Sequence, residues 1–216
     1  DLNGTTSRVR QNIAANSIYE FTAVTGTVEN LAADGTPLRG VEVLQRTSKW
    51  LPIGTTDDSG AVHIDVFAGT RRNYRVTHGG TTATQAHRFS ESDSTLTFRK
   101  IVGTVSVTDS ADQGVASVEV LAKAKNWESI GSTDEAGIVT FEVFPGSKRS
   151  HRVTLNGTTA TKAHTFTVKA PTFTFRTVDA AVVVLDSRGN PHVGVPVERK
   201  AGKWATIGIS DESGTV

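Results

Sequence analysis

Asn126-Trp127-Glu128-Ser129-Ile130-Gly131, followed closely by Asp134-Glu135-Ala136-Gly137, decides the fold because the chain writes this phrase three times. The earlier version is Lys49-Trp50-Leu51-Pro52-Ile53-Gly54 with Asp57-Asp58-Ser59-Gly60. The later one is Lys203-Trp204-Ala205-Thr206-Ile207-Gly208 with Asp211-Glu212-Ser213-Gly214. The three tryptophans stand 77 residues apart, and a fixed period of that length means tandem copies of one small domain.

Residues 22–98 laid over 99–175 agree at about two positions in five without a gap. These are read as two complete copies. Residues 1–21 are the C-terminal part of a preceding copy: Asn3-Gly4-Thr5-Thr6 matches Asn156-Gly157-Thr158-Thr159, and Tyr19 and Phe21 match Leu96 and Phe98. Residues 176–216 are the N-terminal part of a following copy. Neither piece is long enough to bury a useful core alone. The expectation is a segment of a longer repetitive polypeptide, with a neighbouring chain completing the partial copies as the alternative.

Within a copy the apolar residues alternate with period 2, the mark of a half-buried strand. The second copy reads as strands over 102–108, 118–121, 127–133, 139–143, 151–154, 158–166 and 172–175, separated by polar turns. Gly60, Gly137 and Gly214 recur after an acidic pair and just before an alternating strand, which predicts a positive φ at each. Seven short strands predict an all-β, antiparallel two-sheet sandwich repeated in tandem. Val43, Val66, Val120, Phe141, Val143 and Phe175 are its expected core. The one helical candidate, Ser7 to Ile18, matches strand residues of the other copies.

A net charge of +1 excludes a polyanion-seeking surface, so no nucleic-acid partner is expected. With no cysteine there is no disulfide framework, thiolate chemistry or Cys-based zinc site. No apolar run approaches the 18 residues or so of a spanning helix, so no membrane insertion is expected in this segment.

The turn-and-strand phrase Asp112-Gln113-Gly114…Val118-Glu119-Val120, then Thr133-Asp134-Glu135-Ala136-Gly137, resembles bacterial Ig-like repeats. More narrowly it is similar to the prealbumin-like modules of large surface adhesins and filament proteins and to carboxypeptidase-regulatory-type domains. Asp34-Gly35-Thr36-Pro37-Leu38-Arg39-Gly40-Val41 and Arg188-Gly189-Asn190-Pro191-His192-Val193-Gly194-Val195 carry the first-turn signature best. The resemblance covers about the first half of each copy. It implies a spacer, stalk or adhesive role at a cell surface.

Several recurring residues are candidates for chemistry. Asp57, Asp58, Asp134, Glu135, Asp211 and Glu212 offer oxygens to Ca²⁺, but that ion needs six to eight ligands and the capped β-turn is the favoured reading. Trp50, Trp127 and Trp204 offer flat faces for stacking a sugar ring, against the plainer role of packing over a sheet edge or the next module. His87 and His164 recur together and fit a half-buried histidine hydrogen-bonded across a sheet better than a zinc ligand. Asn3 and Asn156 begin Asn-Gly-Thr, which is both an N-glycosylation pattern and a tight-turn signal. No nucleophile–base–orienter set or phosphate loop recurs, so no enzyme and no cofactor are expected.

The favoured function is a structural rod or stalk segment of a large extracellular surface or filament protein, its partners being neighbouring repeats and other copies in a filament or surface layer. The alternatives are an adhesin module for a glycan or protein ligand, and a self-assembling polymer subunit completed by a neighbouring chain.

Overall fold

The computed structural model describes residues 20–216 together with 2, 3, 5–8, 10, 14, 15 and 18. Tyr19 and half of the helical candidate Ser7 to Ile18 lie outside the described residues. The first copy has seven strands: β1 (Ala23–Leu31), β2 (Glu42–Arg46), β3 (Trp50–Thr55), β4 (Ala61–Phe67), β5 (Arg71–His78), β6 (Thr81–Arg88) and β7 (Thr95–Arg99). The second repeats them as β8 (Ile101–Thr108), β9 (Glu119–Lys123), β10 (Trp127–Ser132), β11 (Ile138–Val143), β12 (Lys148–Leu155), β13 (Thr158–Thr165) and β14 (Thr172–Arg176). The partial third copy contributes β15 (Pro196–Ala201) and β16 (Lys203–Ile209). Among the described residues no helix is long and apolar enough to cross a membrane.

Each complete copy is a sandwich of a three-stranded and a four-stranded sheet. In the first these are β4-β1-β7 and β3-β2-β5-β6, and in the second β11-β8-β14 and β10-β9-β12-β13. The expected all-β, seven-stranded repeat is what the chain forms. One pairing departs from an antiparallel reading: β7 lies parallel to β1 and β14 parallel to β8. The first and last strands of a copy both run toward the next module, so they can only be parallel where they meet. Alternation along a strand reports which face is buried and says nothing about the neighbour's direction.

The alternating residues fill the space between the sheets. Val43, Val66, Val120 and Val143 are fully buried or nearly so, and Phe175 lies in the second core. Phe141 is a partial correction, since it is only half-buried and packs edge-on against Phe166 from the rim of the core. Tyr74 and His151 occupy the same repeat position and both are completely buried, each edge-on to the phenylalanine just past the following strand (Phe89 and Phe166).

Turn chemistry repeats as faithfully as the core. Gly60, Gly137 and Gly214 have φ of 74°, 73° and 73°, the left-handed region expected of them. A Cβ on Gly137 would also stand 2.3 Å from the carbonyl oxygen of Val107. A hydroxyl at the end of the third strand ties the loop before the second strand to it. Thr56 accepts from the Val41 amide and donates to the Leu38 carbonyl, and Thr133 does the same with Val118 and Val115. Ser210 repeats this in the third copy with Val195 and His192.

Residues 180–184, the third copy's counterpart of β8, do not form a strand. The stretch is reduced to bridges between Val183 and Thr215 and between Leu185 and Pro191. In the complete copies the first strand lies between the fourth and seventh strands, and residues 176–216 supply no counterpart of the seventh.

Candidate functional site

The place where one module meets the next is built from residues that recur. Only Lys100 separates β7 from β8. Just past β11, Phe144 turns away from its own sandwich and enters the core of the first, where it is 0% exposed and packs with Val76, Ala83 and Phe98. Its ring meets Phe98 edge-on at 6.5 Å. Its backbone amide donates to Thr81 Oγ1 at 3.4 Å, and Thr81 in turn donates to the His78 carbonyl. Ser147 Oγ donates to the Thr82 carbonyl at 2.9 Å.

Charge reinforces this seam. Glu142 accepts from the Ala33 amide at 2.8 Å and lies 3.8 Å from the Lys100 ammonium, which sits 5.7 Å from the centre of the Phe144 ring. Lys100 is itself nearly buried. Burial lowers its pKa, and the Glu142 carboxylate acts in the opposite sense.

The junction before the first copy follows the same plan. Phe67, the counterpart of Phe144, meets Phe21 edge-on at 6.0 Å, and its amide donates to Thr5 Oγ1 at 2.9 Å. Asn3 Nδ2 donates to the Asp65 carbonyl at 2.7 Å, and the Asn3 carbonyl accepts from Gln45. The tight turn that precedes the capping threonine is Asn-Gly at two junctions and Gly79-Gly80 at the middle one. Asn3, Gly79 and Asn156 each take positive φ there (45°, 57° and 47°).

The other sequence candidates fall in separate places. Asp57 Oδ1 accepts from the Ser59 amide, the Ser59 hydroxyl and the Ala61 amide. Asp134 Oδ1 accepts from Ala136 and Ile138, and Asp211 Oδ1 from the Ser213 amide and hydroxyl and the Thr215 amide. The serine hydroxyls, followed by these amides, hold the Asp57 and Asp211 carboxyls below the usual carboxylate range. Asp58 pairs with Arg39 on an open surface, and Glu135 and Glu212 are exposed. Among the described residues no three acidic or histidine side chains gather as a metal-binding group.

The tryptophan faces are occupied. The Arg75 guanidinium lies 3.9 Å from the Trp50 ring centre, and Arg152 lies 4.0 Å from that of Trp127. Trp204 has Lys200 at 6.0 Å and is 64% exposed. His87 and His164 are half-buried and edge-on to Phe89 and Phe166. Their Nε2 atoms pair with the carbonyls of Asp93 and Ala170 in the loop before the seventh strand, rather than across a sheet.

Sequence reasoning missed the junction phenylalanines and the threonines that cap them. A signal was present. Phe67 and Phe144 are apolar residues that directly follow an inward valine, out of step with the alternation, and they recur at the repeat distance.

No protein-family model matches the chain, and no curated protein does. Among solved structures it is similar to the TIE protein of Bacillus anthracis, at 15% identity over 90% of this chain with a TM-score of 0.29. The chain spans 42% of that protein's length. It is also similar to the shaft pilin SpaA of Lactobacillus rhamnosus GG, at 8% identity over 75% of this chain and 100% of that one, with a TM-score of 0.32. BcpA, the major pilin subunit of Bacillus cereus, matches at 10% identity over 90% of this chain and 84% of its own, with a TM-score of 0.30.

Proposed function

We propose that this chain is a non-catalytic structural segment of an extracellular rod or stalk, whose modules are locked end to end. One observation carries the reading: a one-residue connection, Lys100, is combined with an aromatic ring, Phe144, buried in the neighbouring module's core. A linker of one residue leaves no slack. Reorienting the modules would also withdraw Phe144 into water, and exposing a large apolar side chain costs about 1.5–3 kcal/mol. Interfaces between domains are ordinarily more polar and allow relative motion. The adhesin alternative is less favoured because the flat tryptophan faces of the complete copies already carry guanidinium groups.

The test is small-angle scattering of the chain at several concentrations. One fixed arrangement of the two complete modules should account for the curve. A curve that requires a broad set of inter-module angles would overturn the rod reading.

A further inference from the structure

The far end of the second sandwich holds an apolar cavity of about 840 Å³. Val153, Thr158, Ala160, Phe175 and Thr177 line it. Shifted by one repeat, these are Val76, Thr81, Ala83, Phe98 and Lys100, the residues gathered around Phe144 at the occupied junction. Burial differs between the two sites, one of which holds a phenylalanine ring. Thr81 and Ala83 are buried on β6, whereas Thr158 and Ala160 are exposed on β13. The third copy contributes Val182, Val197 and Ile207, with Glu198, Arg199 and Lys200 beside them.

We infer that this cavity is a socket for one occupant: the phenylalanine that follows the fourth strand of a module of this same repeat, here the third, whose first strands already form the cavity wall. The inference rests on the rod reading in taking that occupant to be the next module. Continuity with the established junctions supports it. A phenylalanine enters beside Phe98 with its amide on Thr81, and another lies beside Phe21 with its amide on Thr5. Phe175 and Thr158 stand ready in the same two roles. In their present state the Arg199 guanidinium donates to Thr158 Oγ1 and to the Asn156 carbonyl, so the hydroxyl that would receive the incoming amide already serves as an acceptor.

The test uses the full chain extended after Val216 by a second copy of residues 140–175, so that a duplicate of Phe144 follows the third module's fourth strand. A matched version carries alanine at that duplicate position. Methyl resonances of Val153 and Ala160 should shift upfield by ring current in the phenylalanine version and not in the alanine version. Burial of Trp204 under the duplicate of Arg152, read as a blue shift of its emission, reports whether the third module has folded. Trp204 buried with unshifted methyls overturns the inference. So does a Trp204 that stays exposed in both versions, because the strands at the cavity wall would then fail to bring the ring to it. Concentration-dependent shifts of the same methyls in the unextended chain would assign the socket to a second copy instead, and so overturn the stated occupant. Scattering of the unextended chain tests the rod reading separately: mobile first and second modules with a filled socket would defeat that reading alone.

Discussion

Replacing Phe144 with alanine should damage the module to which that residue does not belong. The ring is completely buried among Val76, Ala83 and Phe98 of the first sandwich, while its own backbone continues from β11 of the second. Truncating a buried phenylalanine costs about 3–5 kcal/mol, the spread depending on how far the surroundings collapse. The lower end applies here, because the ring lies at a seam between two bodies that can close on the gap. The loss should fall on the strands around the ring, β5, β6 and β7. Hydrogen exchange followed by mass spectrometry can resolve this. With about 1.4 kcal/mol per factor of ten, 3 kcal/mol corresponds to roughly a hundredfold faster exchange across those strands. The second module's β9 and β12 pair through Val120 and Val153, whose side chains lie in the second core and not in the first, and should keep their protection. Accelerated exchange in β9 and β12 with β5 and β6 unchanged would show that Phe144 serves its own sandwich, and the plugged-junction argument would fail.

Three further outcomes follow from positions where the copies differ or strain would arise. His151 is buried with neither ring nitrogen hydrogen-bonded, and burial, with smaller contributions from Arg149 and His164, pushes its pKa down to about 4. The unfolded chain takes up a proton below about pH 6.5 that the folded chain refuses, so the second module should lose roughly 3 kcal/mol as pH falls from 6.5 toward 4. His151→Tyr, the residue the first copy carries, should flatten that slope in urea denaturation; an unchanged slope would reject the assignment. Gly137→Ala should destabilise by at least about 1–2 kcal/mol, because a left-handed residue gains a Cβ that meets the Val107 carbonyl; thermal unfolding unchanged within error would contradict it. Asn30 is buried with its carboxamide unpartnered where the second copy has Val107, so Asn30→Val should stabilise the first module by about 1–3 kcal/mol in the same assay, and a loss of stability would show that the amide has an unrecognised partner.

Much of the architecture was legible because β-structure writes its buried face into the sequence at every second residue. Val43, Val66, Val120 and Val143 were readable in this way, and the positive φ of Gly60, Gly137 and Gly214 followed from their place after an acidic pair. The parallel contact of β1 with β7 was not legible, since alternation is the same whichever way a neighbour runs. Nor was the half-exposure of Phe141. It has an inward position in a strand, yet it lies over the rim, where Phe166 and His151 already fill the interior. For the tryptophans the chain gives the ring and, 25 residues later, the arginine of the fifth strand. Only the pairing of the second strand with both the third and the fifth brings Trp50 to Arg75 and Trp127 to Arg152.

The junction was the hardest part to read, because its logic runs against the rule that exposes the rest. Within a strand, an apolar residue that breaks alternation is normally a defect of the pattern or a bulge. Phe67 and Phe144 break it by following Val66 and Val143, so a single-module reading makes them merely the end of the strand. Their purpose appears only when the buried surface is counted across two modules. The threonines point the same way: Thr81 is buried and capped by a neighbour's amide, whereas the chemically identical Thr158 is exposed and accepts from Arg199. A residue whose burial depends on the next copy cannot be assigned from the periodicity of its own. What identifies it is recurrence at the repeat distance of an apolar residue that its own sandwich does not need.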